Sequence, residues 1–237
     1  MKRTVTVFFS ILAVMAMAVS CAKEDTTTSI SLPKLVDLGL SVKWADCNLG
    51  ASKPEEYGGF YQWAGTKDVT DRNIYLDESN CPYHTGSDNI TGWTKYVPSG
   101  KSSSWSGSGS PDNKTVLDPK DDVAHVKLGG KWRMPTFEEW DELEKNCASE
   151  QTTLNGVQGW KFTSKKPGYT DKWIFLPAAG YRLYDEVFGA GSGGYYWSAS
   201  LYSDNPDYAF IFMFYLGNGG TYIANRCNGQ SVRPVSE

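Results

Sequence analysis

The sequence predicts an α+β fold. Two helix signals lie together between residues 118 and 147, and the half of the chain after them is a series of strand-like runs separated by glycine-rich turns. An aromatic load of 9 Trp and 14 Tyr beside 24 Gly suits a turn-rich chain with a large core. Two helices and a β-rich C-terminal half are the expected architecture.

Residues 35–38 and 42–45 are short apolar runs around a turn at Gly39, and residues 60–63 form a further candidate strand. Little periodicity follows until residue 118. Within that stretch, residues 99–110 hold seven serines and three glycines around Trp105 and read as a surface loop. Asp118 before Pro119 is an N-cap with proline at the first helical position, Asp121 and Asp122 suit the first turn, and Gly129-Gly130 is the stop. A second helix starts at Thr136, which forms a capping box with Glu139; Phe137, Trp140, Leu143 and Cys147 share its apolar face. Cys147 is therefore expected to be buried, as a core thiol or as half of a disulfide. Residues 160–162, 173–176, 195–197, 208–216 and 231–235 then read as strands, with turns at 189–194 and 217–220.

The N-terminus predicts where the chain resides. Lys2 and Arg3 precede an apolar stretch at 5–19, shorter than the ~20 residues a spanning helix needs. It ends in Ala18-Val19-Ser20-Cys21, which resembles a bacterial lipoprotein signal in which Cys21 is acylated and becomes the mature N-terminus. Two or more acyl chains anchor a protein stably to a membrane, at ~0.8 kcal/mol per buried methylene. Lys23-Glu24-Asp25 resembles the short signal that sends lipoproteins of Bacteroidota to the outer face of the outer membrane. The expected organisation is a signal peptide at 1–20, a lipidated Cys21 with a polar tether at 21–31, and one domain at 32–237.

Without the leader the chain keeps 217 residues, enough for a sizeable core. Two of its 23 Lys and Arg leave with the leader while all 27 Asp and Glu remain, so the net charge is −6. That balance argues against nucleic acid, which needs clustered cations. Cys47, Cys81, Cys147 and Cys227 stand in an exported chain that permits disulfides, and three pairings are open. Cys81-Pro82-Tyr83-His84 has the look of a metal site, yet only two histidines and no Cys-x-x-Cys accompany it, so no metal or cofactor is expected.

Three blocks carry a family resemblance: residues 36–45, Trp132-Arg133-Met134-Pro135-Thr136, and Gly194-Tyr195-Tyr196-Trp197-Ser198 with Ser231-Val232-Arg233-Pro234-Val235. Together they resemble the major-paralogous-domain (FISUMP) surface lipoproteins of Bacteroidota. The resemblance implies a C-type-lectin-like fold related to the formylglycine-generating enzymes, although a fold by itself does not give function. Within the blocks, Trp44, Trp132 and Trp197 are expected to be core or hinge aromatics. Arg133 and Arg233 read as buried structural cations, each needing a carboxylate or several backbone carbonyls. Formylglycine-generating enzymes use a cysteine pair in their C-terminal part; here that part holds Cys227 without a cysteine nearby in sequence, which weighs against an oxidase. Asn205-Pro206-Asp207 resembles the calcium-holding triplet of C-type lectins, but a matching Trp-Asn-Asp is missing and the triplet also reads as a turn.

The segment from Tyr202 to Asn228 is the candidate binding region. Along residues 210–215 successive side chains alternate, so Phe210, Phe212 and Phe214 share one face and Ile211, Met213 and Tyr215 the other. One face is core; the second is an apolar and aromatic patch, or else the strand is buried on both sides. The candidate ligand-binding residues are Tyr202, Asp204, Asn205, Asp207, Tyr208, Ile211, Met213, Tyr215, Asn218, Tyr222, Asn225 and Asn228, a Tyr-and-Asn vocabulary like that of antibody surfaces. The same stretch is similar to the variable regions of proteins diversified by retroelements, with all of these except Tyr222 and Asn228 as candidate variable positions. The expected role is a non-enzymatic, adhesin-like module, held on the membrane by lipid, for an unknown protein or glycan ligand. A structural or adhesin subunit of a surface assembly and an oxidase are the alternatives.

Overall fold

The two ends of the described chain meet in one sheet. The computed structural model describes residues 32–85, 92–100, 111–215 and 217–237. The leader, Cys21 and the tether lie outside the described residues, as do 101–110 of the serine-rich loop and Leu216 at the end of the expected 208–216 strand.

Strands β1 (Leu35–Val36) and β2 (Lys43–Ala45) form where the first apolar runs predict them. Asp37 accepts the Gly39 N–H at 2.9 Å in the turn between them, and Gly39 takes φ +70°, where the Tyr169 ring covers its bare Cα. The last strand, β12 (Val235–Ser236), lies between β2 and β3 (Trp132–Arg133), antiparallel to both. The rest of the expected 231–235 strand bonds piecemeal, Ser231 bridging Tyr196 and Val232 accepting from Leu49.

Helix α1 (Val123–Leu128) begins four residues later than the Asp118 signal suggests. Asp118 makes no capping bond because Lys95 and Lys114 hold its carboxylate; residues Pro119–Asp121 form a 3-10 turn instead. Asp122 is the true cap, accepting from Ala124 and His125 N–H, and Gly129 ends the helix at φ +68° as expected. Helix α2 (Phe137–Asn146) carries the predicted capping box: the Glu139 N–H donates to Thr136 Oγ1 while the Thr136 N–H donates to Glu139 Oε2. Arg133 forks onto the same Glu139 carboxylate at 2.6 and 2.8 Å, the carboxylate partner its sequence context requires.

β4 (Cys147–Leu154), β5 (Val157–Ser164) and β6 (Trp173–Pro177) make an antiparallel sheet. β7 (Tyr181–Leu183) and β8 (Glu186–Phe188) form a hairpin, and β9 (Gly193–Leu201), β10 (Tyr208–Tyr215) and β11 (Asn218–Asn225) a second three-stranded sheet in the order β11-β10-β9. Among the described residues, four antiparallel sheets with two α-helices fit the expected α+β class. Residues 60–63, expected as a strand, give only a bridge between Tyr61 and Gln230, with Trp63 N–H bonded to Arg226 O. Among the described residues no helix is long and apolar enough to cross a membrane.

Trp140 of α2 is the hub of the core. Its ring lies 4.7 Å from Trp44 and stacks on Phe212 of β10 at 4.9 Å; Trp160 stacks on Phe214 at 5.1 Å. Trp44, Trp132 and Trp197 are all buried, as expected. Arg233 is buried too, donating to Asn48 Oδ1 and to the carbonyls of Ala45 and Phe175. Cys147 is a buried core thiol and Cys47 another, each pushed up to about 11 by burial.

Candidate ligand-binding groove

The β9–β10–β11 sheet has one face filled and the other partly open. Phe212 and Phe214 turn toward α2 and Trp160, while Ala209 and Ile211 turn into a second cluster with Tyr61, Trp63, Trp197 and Val232. Ile211 is only 3% exposed, which corrects the expectation of an outward Ile211; the middle of β10 is buried on both faces. Farther along the strand this second cover thins. Met213 is half-buried and Tyr215 is 39% exposed.

There the surface sinks into a groove of about 400 Å³, lined by Tyr181, Tyr195, Tyr208, Ile211, Met213, Ile223, Ala224, Asn225, Asn228 and Gln230. Local pairing explains how these residues converge. Gly180 donates to Gly193 O at 2.8 Å, which sets β7 beside the start of β9, so Tyr181 and Tyr195 meet with ring centres 4.8 Å apart at 61°. Reciprocal bonds between Arg182 and Gly229 at 2.7 and 2.9 Å bring Asn228 and Gln230 alongside. A Cβ at Gly193 would lie 3.0 Å from both the Tyr195 and the Tyr215 rings, a tight contact that favours glycine where the two flank this backbone. Burial, with Tyr181 and Tyr215 nearby, raises the Tyr195 pKa and keeps its hydroxyl neutral.

The rim is braced from below. Asn225 accepts the Cys227 N–H through Oδ1 at 2.9 Å and the Asn228 N–H through its carbonyl at 3.0 Å, closing a tight turn. Cys227 is bonded to Cys81, 146 residues away, while Cys47 and Cys147 stay free thiols, so none of the three complete pairings forms but Cys227 gains the partner its local sequence lacks. Between them Arg226 is fully buried, its guanidinium 3.7 Å from the Trp93 ring centre and 4.7 Å from that of Trp63. It donates to Pro206 O and Lys95 O, and so ties the 205–208 turn to the groove rim.

Of the twelve candidate residues, Tyr208, Ile211, Met213, Asn225 and Asn228 line the groove. Asp207 does not face a ligand: it is 5% exposed and accepts from Trp93 Nε1 at 2.8 Å. Asn205 accepts the Asp207 N–H at 3.0 Å, so Asn205-Pro206-Asp207 is a turn, and among the described residues no cluster of His, Cys, Asp or Glu could hold a metal ion. Tyr202 packs edge-on against Phe210 at 5.5 Å. Asp204, Tyr215, Asn218 and Tyr222 are exposed outside the lining. Sequence reasoning missed Tyr181, Ile223, Ala224 and Gln230, and placed Tyr195 in a strand without assigning it to the site.

A polar cluster braces the region below the rim. Asp121 is buried and accepts from Tyr83 Oη at 2.5 Å, Tyr96 Oη at 2.6 Å and Lys95 Nζ. Burial alone would raise the Asp121 pKa, but these donors outweigh it and hold the carboxylate below its ordinary range. Compared with protein-family models, with curated proteins and with solved structures, the chain matches none of them.

Proposed function

We propose that the protein is a lipid-anchored, surface-displayed binding module without enzymatic activity, and that the groove beside β10 is its ligand site. The observation that carries this reading is the groove itself, where three tyrosines and three carboxamides converge around apolar Ile211 and Met213. Rigid aromatic area with adaptable amides is what a binding surface uses, because little side-chain entropy is lost on contact. The anchor rests on the sequence around Cys21. A C-type-lectin-like domain of the major-paralogous-domain family is the finer fold reading, supported by the motif blocks 36–45, 132–136, 194–198 and 231–235.

Capture of cells on immobilised gastric mucin or on the surfaces of competing bacteria tests both halves. Met213→Arg, which puts bulk and charge into the groove, should abolish capture, whereas Tyr75→Ala, at an exposed ring outside the lining, should leave it unchanged. Cys21→Ala should shed the protein from membranes. Capture indifferent to Met213→Arg contradicts the groove, and Cys21→Ala protein that still partitions with membranes contradicts the anchor.

A further inference from the structure

We infer that the groove takes an uncharged, hydroxyl-bearing ring, a neutral pyranose of a glycan chain, without help from a metal ion. The inference rests on the groove being the ligand site and narrows what it holds.

Gln230 is the deciding residue. It is 1% exposed and lines the groove, and its Oε1 is buried with no hydrogen-bond partner among the described residues. Its backbone is already paired with Tyr61 in both directions, so the side-chain amide does not serve the ladder. An unmet buried acceptor is costly to keep, and a ligand that supplies a donor there relieves the cost. A hydroxyl is donor and acceptor at once, so it satisfies a carboxamide in either orientation.

Charge narrows the class further. Among the described residues the lining has no Lys, Arg, His, Asp or Glu. A carboxylate or phosphate would bring only acceptors toward Oε1 with no cation to hold it, and an ammonium would find no carboxylate. An alkyl or aryl side chain would fill the groove yet leave Oε1 unmet. A pyranose meets both demands. Its face of C–H groups packs on tyrosine rings, here the Tyr181–Tyr195 pair backed by Phe188, whose ring stacks on Tyr181 at 5.6 Å. Its rim of hydroxyls meets amides, here those of Asn225, Asn228 and Gln230.

The test is titration of the intact protein with neutral hexasaccharides of glucose, mannose, galactose and xylose in EDTA, beside hexagalacturonate as the charged contrast. A neutral hexasaccharide should bind and hexagalacturonate should bind more weakly or not at all. Gln230→Met keeps the volume and removes the amide; affinity should fall about tenfold while the melting temperature of the free protein holds or rises. Asn228→Ala, on the half-exposed rim, should weaken binding without altering the fold. Binding that needs calcium, that favours hexagalacturonate, or that ignores Gln230→Met overturns the inference, as does the lack of any saccharide binding at millimolar concentration. In that last case, mucin capture still abolished by Met213→Arg leaves the groove as the ligand site and removes only the glycan. Capture that ignores Met213→Arg removes the site as well.

Discussion

The two faces of the β9–β10–β11 sheet are built from equally apolar residues and end in different states. On one face Phe212 and Phe214 are sealed by Trp140 and Trp160 stacked flat against them. On the other, Ala209, Ile211 and Trp197 are just as buried, but the cover stops short of Met213 and Tyr195 and leaves the groove. Hydrophobicity therefore does not decide which side of this strand is open; the reach of the neighbouring elements does.

If the covered face is core, breaking it should cost most. Trp140→Ala removes the ring that touches Trp44, Phe212 and Tyr196 and should destabilise by about 3–5 kcal/mol in urea denaturation. A loss below about 1 kcal/mol would erase the contrast between the faces. Next in size is the link that braces the open side. Replacing Cys81 and Cys227 with Ser should cost about 2–5 kcal/mol, and amide exchange should rise first at residues 225–228, not along α2. Equal loosening of both regions would show that the disulfide serves the whole chain and not the rim.

Acid should sharpen the same division at smaller scale. Lys114 and Lys95 hold Asp118 below its ordinary pKa, and against the raising effect of burial Asp121 is held there by Lys95, Tyr83 and Tyr96. Because the folded values are depressed, the stabilisation is complete above the ordinary aspartate range and is lost as pH falls through that range toward the folded values. Melting temperature should drop between pH 5 and 3 by the order of a few degrees, and Asp121→Asn should flatten that drop. An unchanged pH profile in Asp121→Asn would show that the cluster is not what acid undoes.

Much of the scaffold was legible because its signals are local. The Thr136–Glu139 capping box, the Gly129 stop, the Gly39 turn and the alternation of residues 210–215 each act within a few residues, and all appear in the fold. β4 was missed because its residues, 147–154, are mostly polar and exposed; the Asn155-Gly156 pair behind it, with φ +48° and +84°, is a hairpin turn that could have revealed it. Asp118 misled as a helix cap because its charge partners, Lys95 and Lys114, act on it through tertiary and side-chain contacts. The groove was half legible. Tyr208, Met213, Asn225 and Asn228 lie in the Tyr-and-Asn-rich segment, but Tyr181 and Gln230 join them only through the Arg182–Gly229 and Tyr61–Gln230 bridges, which no periodicity signals. Asp207 went the other way, drawn inward by Trp93, and Ile211 lines the groove only as a buried floor residue beside Trp197.

One variant tests the contrast between core and site most directly. Tyr208 lines the groove and is half-buried, so Tyr208→Ala should lower ligand or mucin affinity by about 2 kcal/mol, roughly thirtyfold. Its melting temperature should stay within about 4 °C of the parent. A fall in melting temperature as large as that of Trp140→Ala, with binding lost only in proportion to the unfolded fraction, would show that the open face is core after all.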